Sequence, residues 1–282
     1  MRRFVLALFA LTLLSGCGGV DASLIATAVR NTEEAGGAEV AFQMEMQLPG
    51  VDEPVVMTGS GVEDASHRRG QLSFDMSALA RVAGAGALCS DSCEMEAVMD
   101  GHSIYMHSAL FSAGLGGKDW LKLDLDRFGD SLGIPMGDPR MATQSPSEGL
   151  RMMRGVSGDV TDEGREQVRG VDATHYSATV DLRRSVEALP ESQREAARRG
   201  MERIIAATGQ EELPFDVWID DDDRVRRFEM EQTMKRGGVE LKAHVTMEYV
   251  RFGVPVDIDL PDDDEVFDMT DLALQQMNQD LP

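Results

Sequence analysis

Val239 to Val250 reads VELKAHVTMEYV, and its alternation decides the fold class. Val239, Leu241, Ala243, Val245, Met247 and Tyr249 fall on one side of an extended chain, and Glu240, Lys242, His244, Thr246 and Glu248 on the other. Side chains of a strand point to opposite faces in turn, so this is a strand with one apolar and one polar face. The stretches before it, PFDVWID from Pro214 and RVRRFEMEQTMK from Arg224, read the same way. Towards the N-terminus the pattern returns in VAFQMEMQL (Val40 to Leu48), with Val40, Phe42, Met44, Met46 and Leu48 on one side. QLSFDMS repeats it with Leu72, Phe74 and Met76. EMEAVMDGHSIYMHS predicts a hairpin turning at Asp100-Gly101, KDWLKLDL a short strand, and GVDATHYSATVDL a strand rich in β-branched and aromatic residues.

Helical spacing appears in three places. SLIATAVRNTEEAGG carries Leu24, Ile25, Ala28 and Val29 on one stripe, and Gly36-Gly37 stop it. A second helix is predicted after Ser145 and Pro146, with Leu150, Met152 and Met153 as its contacts. PESQREAARRGMERIIAATG is the third: Ala197, Met201, Ile204, Ile205 and Thr208 share one face and Gly209 ends it. Many one-sided antiparallel strands with a few amphipathic helices imply an α+β domain, the helices covering one face of a large sheet.

The chain has 282 residues, 50 acidic against 27 basic, and a formal net charge of −23. A surface this acidic repels phosphate backbones and argues against a nucleic-acid partner. The N-terminus has a different character. Arg2 and Arg3 precede an apolar run from Phe4 to Leu14 broken only by Thr12. That run is short of the roughly 20 residues a membrane span needs and has the layout of an export signal. Leu14-Ser15-Gly16-Cys17 resembles the lipobox of bacterial lipoproteins, in which the cysteine receives a diacylglyceryl group and becomes the first mature residue. The resemblance implies residues 1–16 as signal peptide, Cys17 as the lipidated anchor and 17–22 as a tether. It places the protein on the extracytoplasmic face of the cell membrane.

Three stretches carry a second resemblance: DGHSIYMHS followed by DWLKLDL, then VDATHYSATVDL, then LPFDVWIDDDDRVRRFEME. In order and spacing they resemble the LppX/LprAFG lipoprotein family, within the wider LolA-like superfamily. The likeness extends over residues 23–260, leaving 261–282 as an acidic, loosely held tail. It implies a large curved antiparallel sheet, a half-barrel, with helices packed into the concave face. It also implies capture or carriage of a lipid, glycolipid or lipidated molecule in an apolar cavity, with a membrane transporter or envelope protein as a possible partner. The family often has glycine where DDDDR has Asp223, which leaves the type of that turn open.

Phe42, Met44, Met46, Leu72, Phe74, Met76, Met230, Met234, Leu241, Val245 and Met247 lie on the apolar strand faces and are the expected cavity lining. Methionine is unbranched and polarisable and conforms to flexible ligands, although such faces equally make ordinary core. A carrier needs a cavity of several hundred cubic ångströms. A filled core would instead indicate a regulatory or adhesive module that binds a protein partner, with the acidic face drawing a basic one.

Cys89, Cys93, His102 and His107 suggest zinc, but His102 and His107 have opposite parity on a strand. An exported location favours a disulfide between Cys89 and Cys93. The acidic runs Asp220 to Asp223 and Asp262 to Glu265 lack the ligand alternation of a calcium loop. No motif joins a histidine to a nucleophile, and neither a catalytic residue, a metal site nor a cofactor is expected.

Overall fold

The computed structural model describes residues 22–88, 93–112, 114–127, 160–186, 191–236 and 239–280. Cys17, Cys89 and the helix expected after Ser145 lie outside them.

Twelve strands form one open sheet among the described residues. In chain order they are β1 (Ala38–Gln47), β2 (Val55–Asp64), β3 (Arg69–Asp75), β4 (Glu94–Asp100), β5 (Ser103–Ser108), β6 (Trp120–Asp124), β7 (Thr161–Val168), β8 (Val171–Asp181), β9 (Glu212–Asp220), β10 (Val225–Arg236), β11 (Val239–Phe252) and β12 (Val266–Asp268). They lie side by side as β12-β6-β5-β4-β3-β2-β1-β11-β10-β9-β8-β7, so β1 and β11 close the centre and β7 and β12 are the edges. Every pairing is antiparallel except that of β12 with β6.

Among the described residues six α-helices accompany the sheet: α1 (Ser23–Glu34), α2 (Ser77–Val82), α3 (Ala109–Ser112), α4 (Leu182–Ser185), α5 (Glu191–Thr208) and α6 (Thr270–Asp280). Residues paired across antiparallel strands share a face, which makes the inward face continuous. The row Phe74, Gly59, Phe42, Met247, Phe228, Val217 and Tyr176 runs from β3 to β8. α1 and α5 cover the β8–β11 half of this face. Ile25, Ala28 and Val29 from α1 and Ala197, Met201 and Ile205 from α5 join Val40, Phe215, Val217, Phe228, Met247 and Tyr249 in one core. Burying such side chains contributes roughly 1.5–3 kcal/mol each, which fixes the helices on this side. Thr32 then sets the position of α1. Its hydroxyl donates to the Ala28 carbonyl at 2.7 Å and accepts the Val225 amide at 2.9 Å, tying the end of α1 to the start of β10.

The sheet folds sharply towards this inward face between β2 and β3. A Cβ on Gly61 would stand 2.0 Å from the Gln71 carbonyl oxygen and 2.8 Å from the Leu72 Cα. Only a residue without a side chain allows the two backbones to approach so closely on the inner side of the bend.

Three expectations change. β2 and β7 are strands with little apolar signal of their own. Met76 is not a strand residue: it is the N-cap of α2, at φ −94° and ψ 5°. Residues 261–280 are not a loose tail, since β12 adds to β6 in parallel and α6 packs beside it, with the Thr270 hydroxyl accepting the Asp124 amide at 3.0 Å. The turn left open at Asp223 is resolved. Asp223 takes φ 52°, the left-handed region where glycine is usual. The Asp220 carboxylate steadies it by accepting the amides of Asp222 and Arg224 at 3.0 and 2.9 Å.

Candidate functional site: the apolar face beyond α1 and α5

Eight expected lining residues lie together on the inward face of β1, β3, β10 and β11: Phe42, Met44, Met46, Leu72, Phe74, Met230, Leu241 and Val245. All eight are half-buried. Met247, one step nearer α1 on the same face, is only 1% exposed and belongs to the core. Met234 stands opposite Leu241 in the register. The apolar face is thus packed where α1 and α5 cross it and partly open along the ends of β1, β10 and β11. Met95, Met99 and Met106 line its continuation over β4 and β5 and are also half-buried; parity alone would have found them.

Two features of this face had no signal in the alternation. Gly59 and Gly61 occupy consecutive inward positions of β2, so the middle of the face is bare backbone. The Phe74 ring lies over Gly59, and Phe42 meets it edge to face, with centroids 5.5 Å apart and planes at 86°. Glu63, the next inward residue of β2, is 2% exposed. Its carboxylate accepts the Tyr249 hydroxyl at 3.0 Å, a polar tie within an apolar layer.

The outward face is chemically opposite. Trp218 is buried there between His175, stacked at 4.2 Å, and the Arg227 guanidinium, 5.1 Å from its ring. Glu166 accepts the indole N–H at 3.0 Å, and His175 reaches Asp216 at 2.8 Å. Arg227 and Arg169 both donate to Glu248 at 2.6 Å. Burial would raise the Glu248 carboxyl, but these hydrogen bonds and the two positive charges outweigh it and hold the group below its ordinary range. A carboxylate depressed in the folded state adds stability above its unfolded pKa and loses it as pH falls through the folded one. Unfolding midpoints measured from pH 7 downward are therefore expected to hold to about pH 4.3 and fall below it. Glu248→Gln should remove roughly 1 kcal/mol of stability at pH 7 and flatten the acid limb.

A cavity of about 640 Å³ opens at the β2–β5 end of the sheet. Ser60, Val62, Gln71, Ser73, Glu96 and His107, from outward positions, supply most of its lining. Leu72 is the one expected lining residue that borders it. The lining of this cavity is mixed, with more apolar than polar surface, and most of the expected apolar residues lie apart from it in a trough. Cys93 is buried and disulfide-bonded, while Cys89 lies outside the described residues. His102 pairs with Asp126, and His107 lies against Trp120 with centroids 5.3 Å apart, so the two histidines serve separate places. Among the described residues no group of three or more His, Cys, Asp or Glu is arranged to hold a metal ion. No helix of the described residues is long and apolar enough to cross a membrane.

The open antiparallel sheet with helices on one face is the class of protein these elements define. No family model matches the chain. An uncharacterized 31.2 kDa protein of the rplA-rplJ intergenic region of Streptomyces griseus is 29% identical over 167 residues, 58% of this chain and 52% of that one. The chain thus spans about half the length of the curated relative it matches. Among solved structures, LprF from Mycobacterium bovis is similar at a TM-score of 0.44 and 13% identity, over 86% of this chain and 99% of that one. The Mycobacterium tuberculosis lipoprotein LppX is similar at 0.44 and 13%, over 85% and 100%.

Proposed function

We propose that this chain is a membrane-anchored envelope lipoprotein that binds a lipid, glycolipid or lipidated molecule along its methionine-rich trough and carries or presents it. One observation carries the reading: a continuous apolar face that is tightly packed under α1 and α5 stays partly exposed beyond them. An apolar surface of that kind is a site for apolar matter. Each acyl methylene removed from water gains about 0.8 kcal/mol, so a trough of this chemistry favours long chains over headgroups. Three methionines at Met44, Met46 and Met230 let the wall conform to a floppy chain. No bond is made or broken in such a role; the cargo partitions between membrane, trough and acceptor.

Cys17 is the proposed anchor. With two or more acyl chains on it the protein holds stably to the membrane, whereas one chain binds only marginally. Cys17→Ala is expected to abolish incorporation of radiolabelled palmitate and to leave an unprocessed precursor. The burial and bonding of Cys93 support its pairing with Cys89. Lipid binding is tested by titrating the chain from Gly18 onward with a fluorescent fatty acid: saturable binding, displaced by unlabelled long-chain lipid, is expected. Lack of displacement would count against the trough.

A second reading draws on the outward cavity. Glu94 and Glu96 line it and Asp75 borders the adjoining hollow, so a basic protein segment is the partner this face would suit if the chain is a partner-binding module.

A further inference from the structure

We infer that the Phe74 ring, seated over Gly59 and met by Phe42, sets the length of acyl chain the trough accepts. The inference rests on the lipid-binding reading above and names the residues that give that site its selectivity.

The inward positions of β2 run Val55, Met57, Gly59, Gly61 and Glu63. At Gly61 the space a side chain would need is taken by β3 backbone; at Gly59 it is shared by the Phe74 ring and the Ser73 carbonyl oxygen, the latter 2.7 Å away. The Phe74 Cδ1 and Cε1 stand 2.7 and 3.2 Å from where a Cβ of Gly59 would be. With Phe42 against the same ring, the two aromatics reach from β1 to β3 across the bare stretch of β2. They make a crosspiece on a face that is otherwise thioether and aliphatic. Met44, Met46, Met57 and Val245 lie on one side of it, and Leu72 and Met106 on the other.

The two kinds of side chain respond differently to a ligand. Methionine has three rotatable bonds and swings aside at little cost. The Phe74 ring has two torsions and is held below by backbone and from the side by a second ring, so it stays. A chain lying along β1 from Met46 advances four residues, roughly 13 Å, before it meets the crosspiece. Carbon–carbon bonds of about 1.5 Å carry a zigzag chain a little over 1 Å per carbon, so roughly ten to twelve carbons fit. Removing the ring would join the two stretches over Gly59 and Gly61.

The test is a series of saturated fatty acids from eight to eighteen carbons, titrated into the chain from Gly18 onward, which contains every described strand and helix. Wild-type affinity is expected to rise about fourfold per carbon to roughly ten or twelve carbons and then level off. Phe74→Ala should leave the shortest chains unchanged and continue the rise, binding the eighteen-carbon acid at least tenfold more tightly than wild type. Phe42→Ala should move the break in the same direction. Phe74→Leu, which keeps an apolar group on Gly59, covers the case in which the alanine variant does not fold and should shift the break part of the way. Identical breaks in wild type and variants would overturn the role of the aromatic pair and leave the lipid reading standing. A wild type that binds no chain of any length would overturn both.

Discussion

Gly61→Ala should lower the unfolding midpoint by about 10 °C, the largest stability effect of any single-methyl addition in this sheet. The added Cβ would stand 2.0 Å from the Gln71 carbonyl oxygen and 2.9 Å from its carbon. Those atoms are backbone and cannot rotate away, so relief requires β2 and β3 to separate. That separation opens ladder bonds and flattens the bend that makes the face concave. Overpacking with forced backbone movement costs roughly 3 kcal/mol or more, and each kcal/mol moves the midpoint of a chain this size by about 2–4 °C. Gly86→Ala is the matched control. Its nearest neighbour would be the Arg81 Cγ at 3.8 Å, an ordinary contact, and its backbone takes no positive φ. That variant should stay within about 0.5 kcal/mol of wild type. Equal midpoints for the two variants, by calorimetry, would mean that the bend is not held by the close approach at Gly61.

Met44→Glu should weaken acyl-probe binding by on the order of a hundredfold while leaving the fold in place. Met44 lies between Val245 and Met57 on the inward face and is half-buried. A carboxylate there can still reach water, which keeps the stability cost to about 1–2 kcal/mol. A bound acyl chain would force it out of water with no partner, and that penalty appears in affinity. Gln47→Glu, three residues along and on the outward side, is the control. It sits exposed opposite Lys242 and should change binding less than twofold. Met44→Leu, apolar and of similar volume, should stay within a fewfold of wild type. The comparison turns on which face carries the charge, which composition alone cannot mimic. Equal losses from Met44→Glu and Gln47→Glu, measured by displacement of a fluorescent fatty acid, would place binding elsewhere.

The sequence made the strong strands plain, because β1, β3, β8 to β11 and the β4–β5 hairpin each put apolar residues on alternate positions. β2 escaped for a physical reason. Its inward residues over 59–63 are Gly59, Gly61 and Glu63, so the bend that shapes the site removes the apolar signal that would reveal the strand. β7 escaped because TDEGREQV is an edge strand exposed almost throughout, with Val168 at its end as its one buried residue. An edge of this kind is protected by charge instead of by burial. The C-terminal stretch read as a tail because acidic composition says nothing of a three-residue parallel pairing with β6. Parity placed the named strand residues on one face, but it could not tell that Met247 is packed under the helices or that the chain stops being a strand at Met76. The Phe42–Phe74 contact needs the register of three strands at once, and no local pattern contains that.

The measurement that tests lipid binding most directly is a native mass spectrum of the chain from Gly18 onward, purified without detergent from a lipid-rich host. The trough predicts adducts that release as acylated molecules on organic extraction and that are lost in Met44→Glu but kept in Gln47→Glu. A clean apo mass, with no uptake from added lipid vesicles, would contradict it and leave the acidic outward face as the working surface of the protein.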